Sequence, residues 1–179
     1  MHDAQQLPPA KIDRKVLSFC ERLCPGQKPF YVPVQAEPWA RPMESLANVG
    51  EQVRRSGGTL VTGWEISELP GIHLEAVFYA VWQSPQGAFL GVTPEETSRL
   101  LFVKDTQHPD TGVVPPNERF ALGDKALVEK YWALTDRLRE RLEALQLGGF
   151  SQGHPAMRQE ITPLLAEIRA LEEKLQKAG

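Results

Sequence analysis

Apolar residues recur with two different spacings along this chain, and the change of spacing divides it into predicted elements. Recurrence at every third or fourth residue, the period of an amphipathic helix, covers residues 11–24, 42–56, 124–147 and 155–177. Alternation at every second residue, the period of a strand, covers residues 59–66, 72–83, 88–93 and 100–104. Helices before and after a block of adjacent strands predict an α+β fold.

Proline and glycine mark the ends of these elements. Pro25-Gly26 ends the first helix and Gly57-Gly58 ends the second, whose first turn would accommodate Pro42. Ser84-Pro85-Gln86-Gly87 is a turn signal and predicts a hairpin between the strands on either side of it. Residues 30–42 carry three prolines, so we expect an ordered extended connection there rather than a regular element.

The strand predicted at residues 72–83 is apolar on both faces. One face carries Leu74, Ala76, Phe78, Ala80 and Trp82, and the other carries Glu75, Val77, Tyr79 and Val81. We therefore expect a central strand of a small antiparallel sheet, covered on both sides and packed by the N-terminal helices.

The last third of the chain is predicted to be an antiparallel helical hairpin, because a short connection joins two long helices. Its apolar stripe and heptad-like seam are formed by Leu127, Tyr131, Leu134, Leu138, Ile161, Leu164, Ile168, Leu171 and Leu175. The stripes must face each other, the rest of the chain or a second copy, and packing within the chain is favoured over a dimeric coiled coil. Pro163 either interrupts the second helix or marks its start, with Thr162 as cap.

The domain boundary is predicted in the proline-rich loop at residues 105–118. Residues 1–118 would form the α+β core, with residues 1–10 as a loose tail, and residues 119–179 the hairpin. The chain has 179 residues, 41% of them hydrophobic, which is enough to bury a sizeable core.

Charge and hydropathy restrict the classes of partner. The net charge is −3, without the basic excess of a nucleic-acid-binding protein. No apolar stretch approaches the roughly 20 residues that cross a bilayer, and the N-terminus has charges where a signal peptide would be apolar. The sequence therefore predicts a cytoplasmic protein that binds neither nucleic acid nor membrane.

Candidate metal and redox groups are few. Cys20 and Cys24 lie one helical turn apart, and the four histidines are scattered. Two small, semi-buried apolar side chains are the favoured interpretation over a metal or redox site, and neither thiol has the setting of a nucleophile. We expect no metal and no cofactor. For His73, an exposed or hydrogen-bonded side chain is favoured over a catalytic one.

The residues from Pro42 to Asp105 resemble a group of mostly uncharacterised bacterial proteins with a papain-like or transglutaminase-like Cys-His-Asp pattern. The matching pieces are Asn48-Val49, Gly57-Gly58, Gly63-Trp64-Glu65-Ile66, Glu75 to Trp82, Gly87 with Val92-Thr93-Pro94, and Leu101-Phe102 with Asp105. In such folds the nucleophile begins a helix, where backbone N–H groups favour a thiolate, and the base comes from a following central strand. The resemblance implies a helix, a central strand and a partner strand in that order.

The departures from this pattern fall on the residues that would carry the chemistry. Ser45 stands at the position of the family's cysteine, Tyr79 at that of the histidine and Gly91 at that of the aspartate. A serine without a base is a poor nucleophile, tyrosine is a weak base at neutral pH, and glycine orients nothing. The resemblance therefore implies a retained fold without thiol chemistry.

The resulting hypothesis is a non-catalytic protein that acts by binding. The former cleft would be a recognition pocket or filled core, with Glu44, Asn48, Trp64, Glu75 and Trp82 as pocket candidates. The C-terminal helices would bind a protein partner or a second copy. Two alternatives stay open, namely a hydrolase or acyltransferase that uses Ser45 and a coiled-coil adapter. Glu44 and Glu75 could form a carboxylate pair, but the favoured interpretation places Glu44 in the first helical turn, where its charge interacts favourably with the helix dipole. For Trp64 and Trp82, a position in the core is favoured over a ligand site.

Overall fold

The computed structural model describes residues 6–108, 113–147 and 155–178, and the chain is an α+β protein as predicted. It divides into two compact units. The sheet unit contains the residues up to Leu69 together with Leu74–Phe120, and the helical unit contains Pro70–His73 with the residues from Ala121 onward.

Four helices and six strands are present in the described ranges. The helices are α1 (Arg14–Leu23), α2 (Ser45–Ser56), α3 (Lys125–Leu147) and α4 (Pro155–Ala178). The strands are β1 (Phe30–Pro33), β2 (Thr59–Leu69), β3 (His73–Gln83), β4 (Phe89–Leu90), β5 (Arg99–Lys104) and β6 (Glu118–Ala121).

The six strands form one antiparallel sheet in the order β1-β5-β2-β3-β4, with β6 also paired to β3. The two edges of this sheet meet, because Val34 and Gly91 form a parallel bridge. The Gly91 N–H donates to the Pro33 carbonyl at 3.0 Å and the Gln35 N–H donates to the Gly91 carbonyl at 2.8 Å. The sheet therefore curls around an interior cluster, which consists of Val32, Tyr79, Val81, Leu100 and Phe102.

The opposite face of β3 packs against α2. Val49 of the helix lies in one cluster with Ala80, Trp82 and Val92. The indole N–H of Trp82 donates to the Gly57 carbonyl at 2.8 Å, which ties the end of α2 to the sheet. The prediction of a central strand with two covered faces is confirmed.

Three boundaries differ from the predicted ones for local reasons. Helix α2 begins at Ser45 rather than Pro42, because Met43 adopts a left-handed conformation with φ 64°. Strand β4 ends after Leu90, since Gly91 pairs with the segment that follows β1. Helix α1 begins at Arg14, where the Asp13 carboxylate accepts hydrogen bonds from two backbone N–H groups of the first turn.

Two strands were missed by the sequence analysis. Residues 30–33 were expected to be an irregular connection, but they form β1, which tolerates Pro33 because it is an edge strand beside β5. The second is β6, which has only four residues and follows a proline-rich segment that gives no periodic signal.

The expectation of a loose tail is wrong for residues 6–10. Leu7 and Glu68 exchange backbone hydrogen bonds of 3.1 and 2.7 Å, and the Tyr31 hydroxyl donates to the Pro9 carbonyl at 2.6 Å. Residues 1–5 lie outside the described part of the chain.

The two helices of the helical unit pack against each other in antiparallel directions. Tyr131 donates a hydrogen bond to Glu172 at 3.2 Å, and Arg141 lies 3.6 Å from Glu160, so early α3 meets late α4. The seam is buried at Tyr131, Leu134, Ile161, Leu164, Ile168, Leu171 and Leu175, whereas Leu127 and Leu138 are half-buried. Pro163 lies inside α4, so it neither starts nor ends the helix. None of the helices described is both long and apolar enough to cross a membrane.

Candidate functional site

A cleft of about 810 Å³ opens in the sheet unit beside the start of α2. Its walls come from four segments of the chain, namely the approach to α2, the middle of β2, the middle of β3 and the loop before β5. The lining residues are Pro42, Met43, Ser45, Glu65, Val77, Phe78, Tyr79, Pro94, Glu95 and Glu96. The volume is in the range of cavities that hold small organic ligands.

Ser45 is the first residue of α2 and lies at the base of this cleft. Its side chain is only 7% exposed, and its Oγ accepts a hydrogen bond from the Ala80 N–H at 3.2 Å. This bond joins the helix start to β3 and fixes the hydroxyl oxygen. No histidine or lysine lines the cleft among the described residues, so the groups that usually activate serine are not beside it.

Tyr79 of β3 lines the same cleft and is used as a hydrogen-bond donor. Its hydroxyl donates to Glu95 Oε1 at 2.7 Å, and the residue is buried. Burial raises the pKa of Tyr79, and the hydrogen bond to the Glu95 carboxylate raises it further. The phenol therefore keeps its proton at any physiological pH and cannot act as a general base.

Glu65 is the group of the cleft whose pKa is shifted into the neutral range. It lies opposite Phe102 in the pairing of β2 with β5, so its side chain projects to the same side of the sheet as that ring. Burial, followed by the charge of Glu95, raises the pKa of Glu65 to about 7. Among the described residues, no hydrogen bond or ion pair compensates this half-buried carboxylate. It can therefore take up or release a proton near neutral pH.

Gly91 does not line the cleft. A Cβ at this position would lie 3.2 Å from Leu100 Cδ2 and 3.4 Å from Val34 Cγ2. Leu100 belongs to the same interior cluster as Tyr79, so a side chain at residue 91 would project towards that cluster. Of the three positions named by the resemblance, the structure places two in one cleft and the third in the interior of the sheet.

The buried amide of Asn48 supports the cleft without lining it. Its Nδ2 donates to the Arg41 carbonyl at 2.7 Å and to Thr93 Oγ1 at 3.1 Å, and its Oδ1 accepts from the Arg41 N–H at 3.0 Å. These bonds hold the segment before α2 and the loop after β4 in place. Asn48 is therefore a positioning residue.

The other four pocket candidates also lie outside the lining. Glu44 is exposed and lies 3.9 Å from Arg41. Glu75 is paired with Arg119 at 3.0 Å and also accepts a hydrogen bond from Gln6, so no carboxylate pair forms with Glu44. Trp64 and Trp82 are buried, as the core interpretation predicts.

A second, smaller cavity of about 340 Å³ lies beside Trp64 and His108. The Asp105 carboxylate, whose side chain is 1% exposed, accepts hydrogen bonds from the backbone N–H groups of Gln107 and His108. It also lies 3.1 Å from His108 Nδ1, and the Cys24 thiol donates to it at 3.9 Å. The thiol therefore faces the carboxylate, and a negative charge on sulfur would be repelled.

Both cysteines are buried and free, as the structural interpretation predicts. Burial raises the pKa of Cys20 to about 12, and burial with the nearby Asp105 charge raises that of Cys24 to about 11. Neither thiol ionises at neutral pH, which excludes the thiolate that nucleophilic cysteines use. No group of three or more potential ligands for a metal ion occurs within the described ranges.

Glu65, Glu95 and Met43 line the cleft but were not among the pocket residues predicted from the sequence. Glu65 carried a signal, because it is a charged residue at an inward position of a strand whose neighbours on that face are Val61 and Gly63. Glu95 lies in a polar loop, and nothing in its local sequence distinguishes it from Glu96.

Comparisons with protein-family models, curated proteins and solved structures find no match for this chain.

Proposed function

We propose that this protein is a non-catalytic binding module whose ligand occupies the cleft beside α2. The observation that carries the proposal is the hydrogen bonding of Ser45 and Tyr79, which both line this cleft. Ser45 Oγ already accepts a hydrogen bond from the Ala80 N–H, and the Tyr79 hydroxyl already donates to Glu95. Both groups act as fixed polar walls, whereas a nucleophile and its base would have to be hydrogen-bonded to each other.

The size and composition of the cleft support binding. Its volume of about 810 Å³ is ample for a small organic molecule or an extended side chain. Val77, Phe78 and Pro94 provide apolar contact area, and the carboxylates of Glu65 and Glu95 provide polar recognition. Apolar walls combined with polar groups that fix the orientation of a ligand are typical of ligand sites.

A methyl group at the rim of the cleft allows a direct test. The chain has three methionines, and Met43 is the one that lines the cleft among the described residues, so protein labelled with ¹³C at the methionine methyl groups reports on occupancy. The signal is assigned with Met43→Leu. We expect a charge-mixed set of small aromatic fragments to include members that shift the Met43 signal in a saturable way. A set in which no fragment shifts it would refute the proposed binding site.

One observation favours a serine hydrolase or acyltransferase as the second candidate. Ser45 lies at the N-terminus of a helix, and the same cleft contains Glu65, whose pKa of about 7 suits a general base. A fluorophosphonate probe separates the two proposals. We expect no labelling of the wild-type protein, and labelling of wild type that is lost in Ser45→Ala would establish the enzyme.

The coiled-coil adapter is the less favoured third candidate. A self-associating helix pair needs an apolar face that is free to bind, and seven residues of the expected seam are already buried within the chain. The apolar area available to a partner at the seam is correspondingly small. Sedimentation at increasing protein concentration tests this candidate. A protein that stays monomeric at every concentration would not self-associate through these helices.

A further inference from the structure

The carboxylate of Glu65 is held in a setting that disfavours its charge. It projects from β2 across from Phe102, is only partly exposed to solvent, and faces the charge of Glu95. Within the described part of the chain, no arginine, lysine or histidine pairs with it. A partly buried carboxylate without a counter-ion lowers stability unless it is protonated or meets a cation from outside.

The remaining lining of the cleft narrows the choice of ligand. The Tyr79 hydroxyl is occupied by Glu95, and the charged side chains that line the cleft are all acidic, as far as the structure describes them. An anionic ligand would be repelled by these carboxylates. Val77, Phe78 and Pro94 form the apolar part of the wall, so the ligand needs an apolar portion as well.

The rim adds an apolar contact that the folded chain does not use. Met43 is 96% exposed and holds φ at 64°, a conformation that residues other than glycine rarely adopt. A flexible thioether beside a cleft can adapt to ligands of different shape. Met43 precedes Ser45 by two residues and lines the same cleft as Glu65.

We propose that the cleft binds an organic cation, in which an ammonium or guanidinium group pairs with Glu65 and an apolar body contacts Phe78 and Met43. This inference rests on the proposed function, namely that the cleft is a binding site. The cation supplies a counter-charge that the described part of the chain lacks, and the hydrogen bonds it donates to the carboxylate are charge-assisted. Free amines and the lysine or arginine side chains of a peptide share this chemistry.

Three aromatic fragments of similar size and different charge test the inference. Benzylamine is cationic at pH 8, benzyl alcohol is neutral and phenylacetate is anionic. Each is titrated into methionine-labelled protein, and the Met43 methyl shift gives the dissociation constant. We expect benzylamine to bind about tenfold more tightly than benzyl alcohol, the difference typical of one charge-assisted hydrogen bond. Phenylacetate should bind most weakly.

Two variants assign the effect to the carboxylate. Glu65→Gln keeps the shape of the side chain and removes its charge, so benzylamine should then bind no more tightly than benzyl alcohol. Glu68→Gln is the matched control, because residue 68 lies on the same strand outside the cleft, and it should keep the wild-type preference. A cooperative urea unfolding transition shows that each variant is folded.

The outcomes separate the two proposals. Tight binding of benzyl alcohol or phenylacetate, or unchanged binding of benzylamine to Glu65→Gln, overturns the cation inference and leaves the binding site standing. If none of the three fragments nor any member of the charge-mixed set shifts the Met43 methyl, the binding site itself is refuted. A tenfold preference that disappears only in Glu65→Gln supports both.

Discussion

Replacing Glu65 by glutamine should stabilise the protein at pH 8 and have little effect at pH 5. In the folded protein burial, followed by the charge of Glu95, raises the pKa of Glu65 from 4.5 to about 7. Glu95 and Tyr79 are the titratable groups that face it across the cleft. Because the folded-state pKa lies above the unfolded one, the favourable contribution is present below about pH 4.5 and is lost as the pH rises through 7.

The magnitude follows from the size of this shift. Holding a carboxyl pKa at about 7 instead of 4.5 makes the ionised folded form less stable by about 3 kcal/mol at most. The side chain is partly exposed, so solvent screening reduces the expected effect to about 1–2 kcal/mol. Glutamine has nearly the same volume and no charge, and removes this penalty above pH 7.

Urea denaturation of both proteins at pH 5 and pH 8 provides the measurement. We expect the free energy of unfolding of Glu65→Gln to exceed that of wild type by about 1–2 kcal/mol at pH 8 and to be similar at pH 5. Glu44→Gln is the control, since this exposed carboxylate should matter by less than about 0.5 kcal/mol. A difference that does not depend on pH, or a destabilised variant at pH 8, would refute the reasoning.

Three further predictions concern the residues around the cleft and the cysteines. Asn48→Ala should lower the free energy of unfolding by about 2–3 kcal/mol in urea denaturation, because it removes the partner of the buried Thr93 hydroxyl and of the part-buried backbone N–H and carbonyl of Arg41; a loss below 0.5 kcal/mol would contradict this. Gly58→Ala should destabilise the fold by at least about 2 kcal/mol, since its φ is 84° and a Cβ would lie 2.7 Å from the Trp82 indole nitrogen; Gly50→Ala, where a Cβ meets nothing, is the control. Iodoacetamide at pH 8 should modify both cysteines only in denaturant, as measured by intact mass; labelling of the folded protein would refute the buried thiols.

The elements that the sequence predicted are those with a repeated apolar period. Helices α2, α3 and α4 and strands β2, β3 and β5 extend over enough residues for the period to be read, and their ends fall within a few residues of the predicted ones. Short elements carry no such signal. β1 and β6 have four residues each and are stabilised by pairing with distant strands, a contact that a local pattern does not contain.

The residues that line the cleft were only partly predicted from the sequence. The resemblance directed attention to Ser45 and Tyr79, which do line one cavity. The five residues proposed for the pocket are instead buried in the core, exposed or paired elsewhere. Which residues line the cavity depends on how the sheet curls, and a local sequence pattern does not contain that information. Glu65 lies in β2 and Glu95 in the loop before β5, so their proximity depends on contacts between residues far apart in sequence.

The closure at Gly91 offers a test of whether positions 79 and 91 can act together. Gly91→Asp should destabilise the protein by about 2 kcal/mol or more, since its Cβ would face Leu100 and Val34 and a carboxylate there would be buried without a partner. If the interior cluster lets residue 91 reach residue 79, adding Tyr79→His supplies an imidazole to pair with that carboxylate. We expect the double variant to recover at least about 1 kcal/mol relative to the sum of the single variants.

Urea denaturation of the four proteins in this cycle gives the coupling energy between the two positions. Gly91→Asn is the matched control, because it adds a side chain of similar size without the charge and should show a smaller coupling to Tyr79→His. The bond to Glu95 is lost in every variant that replaces Tyr79, so its contribution cancels in the cycle. A coupling energy of zero would mean that a side chain at residue 91 does not reach residue 79. In that case restoring cysteine, histidine and aspartate at positions 45, 79 and 91 could not rebuild a working triad in this fold.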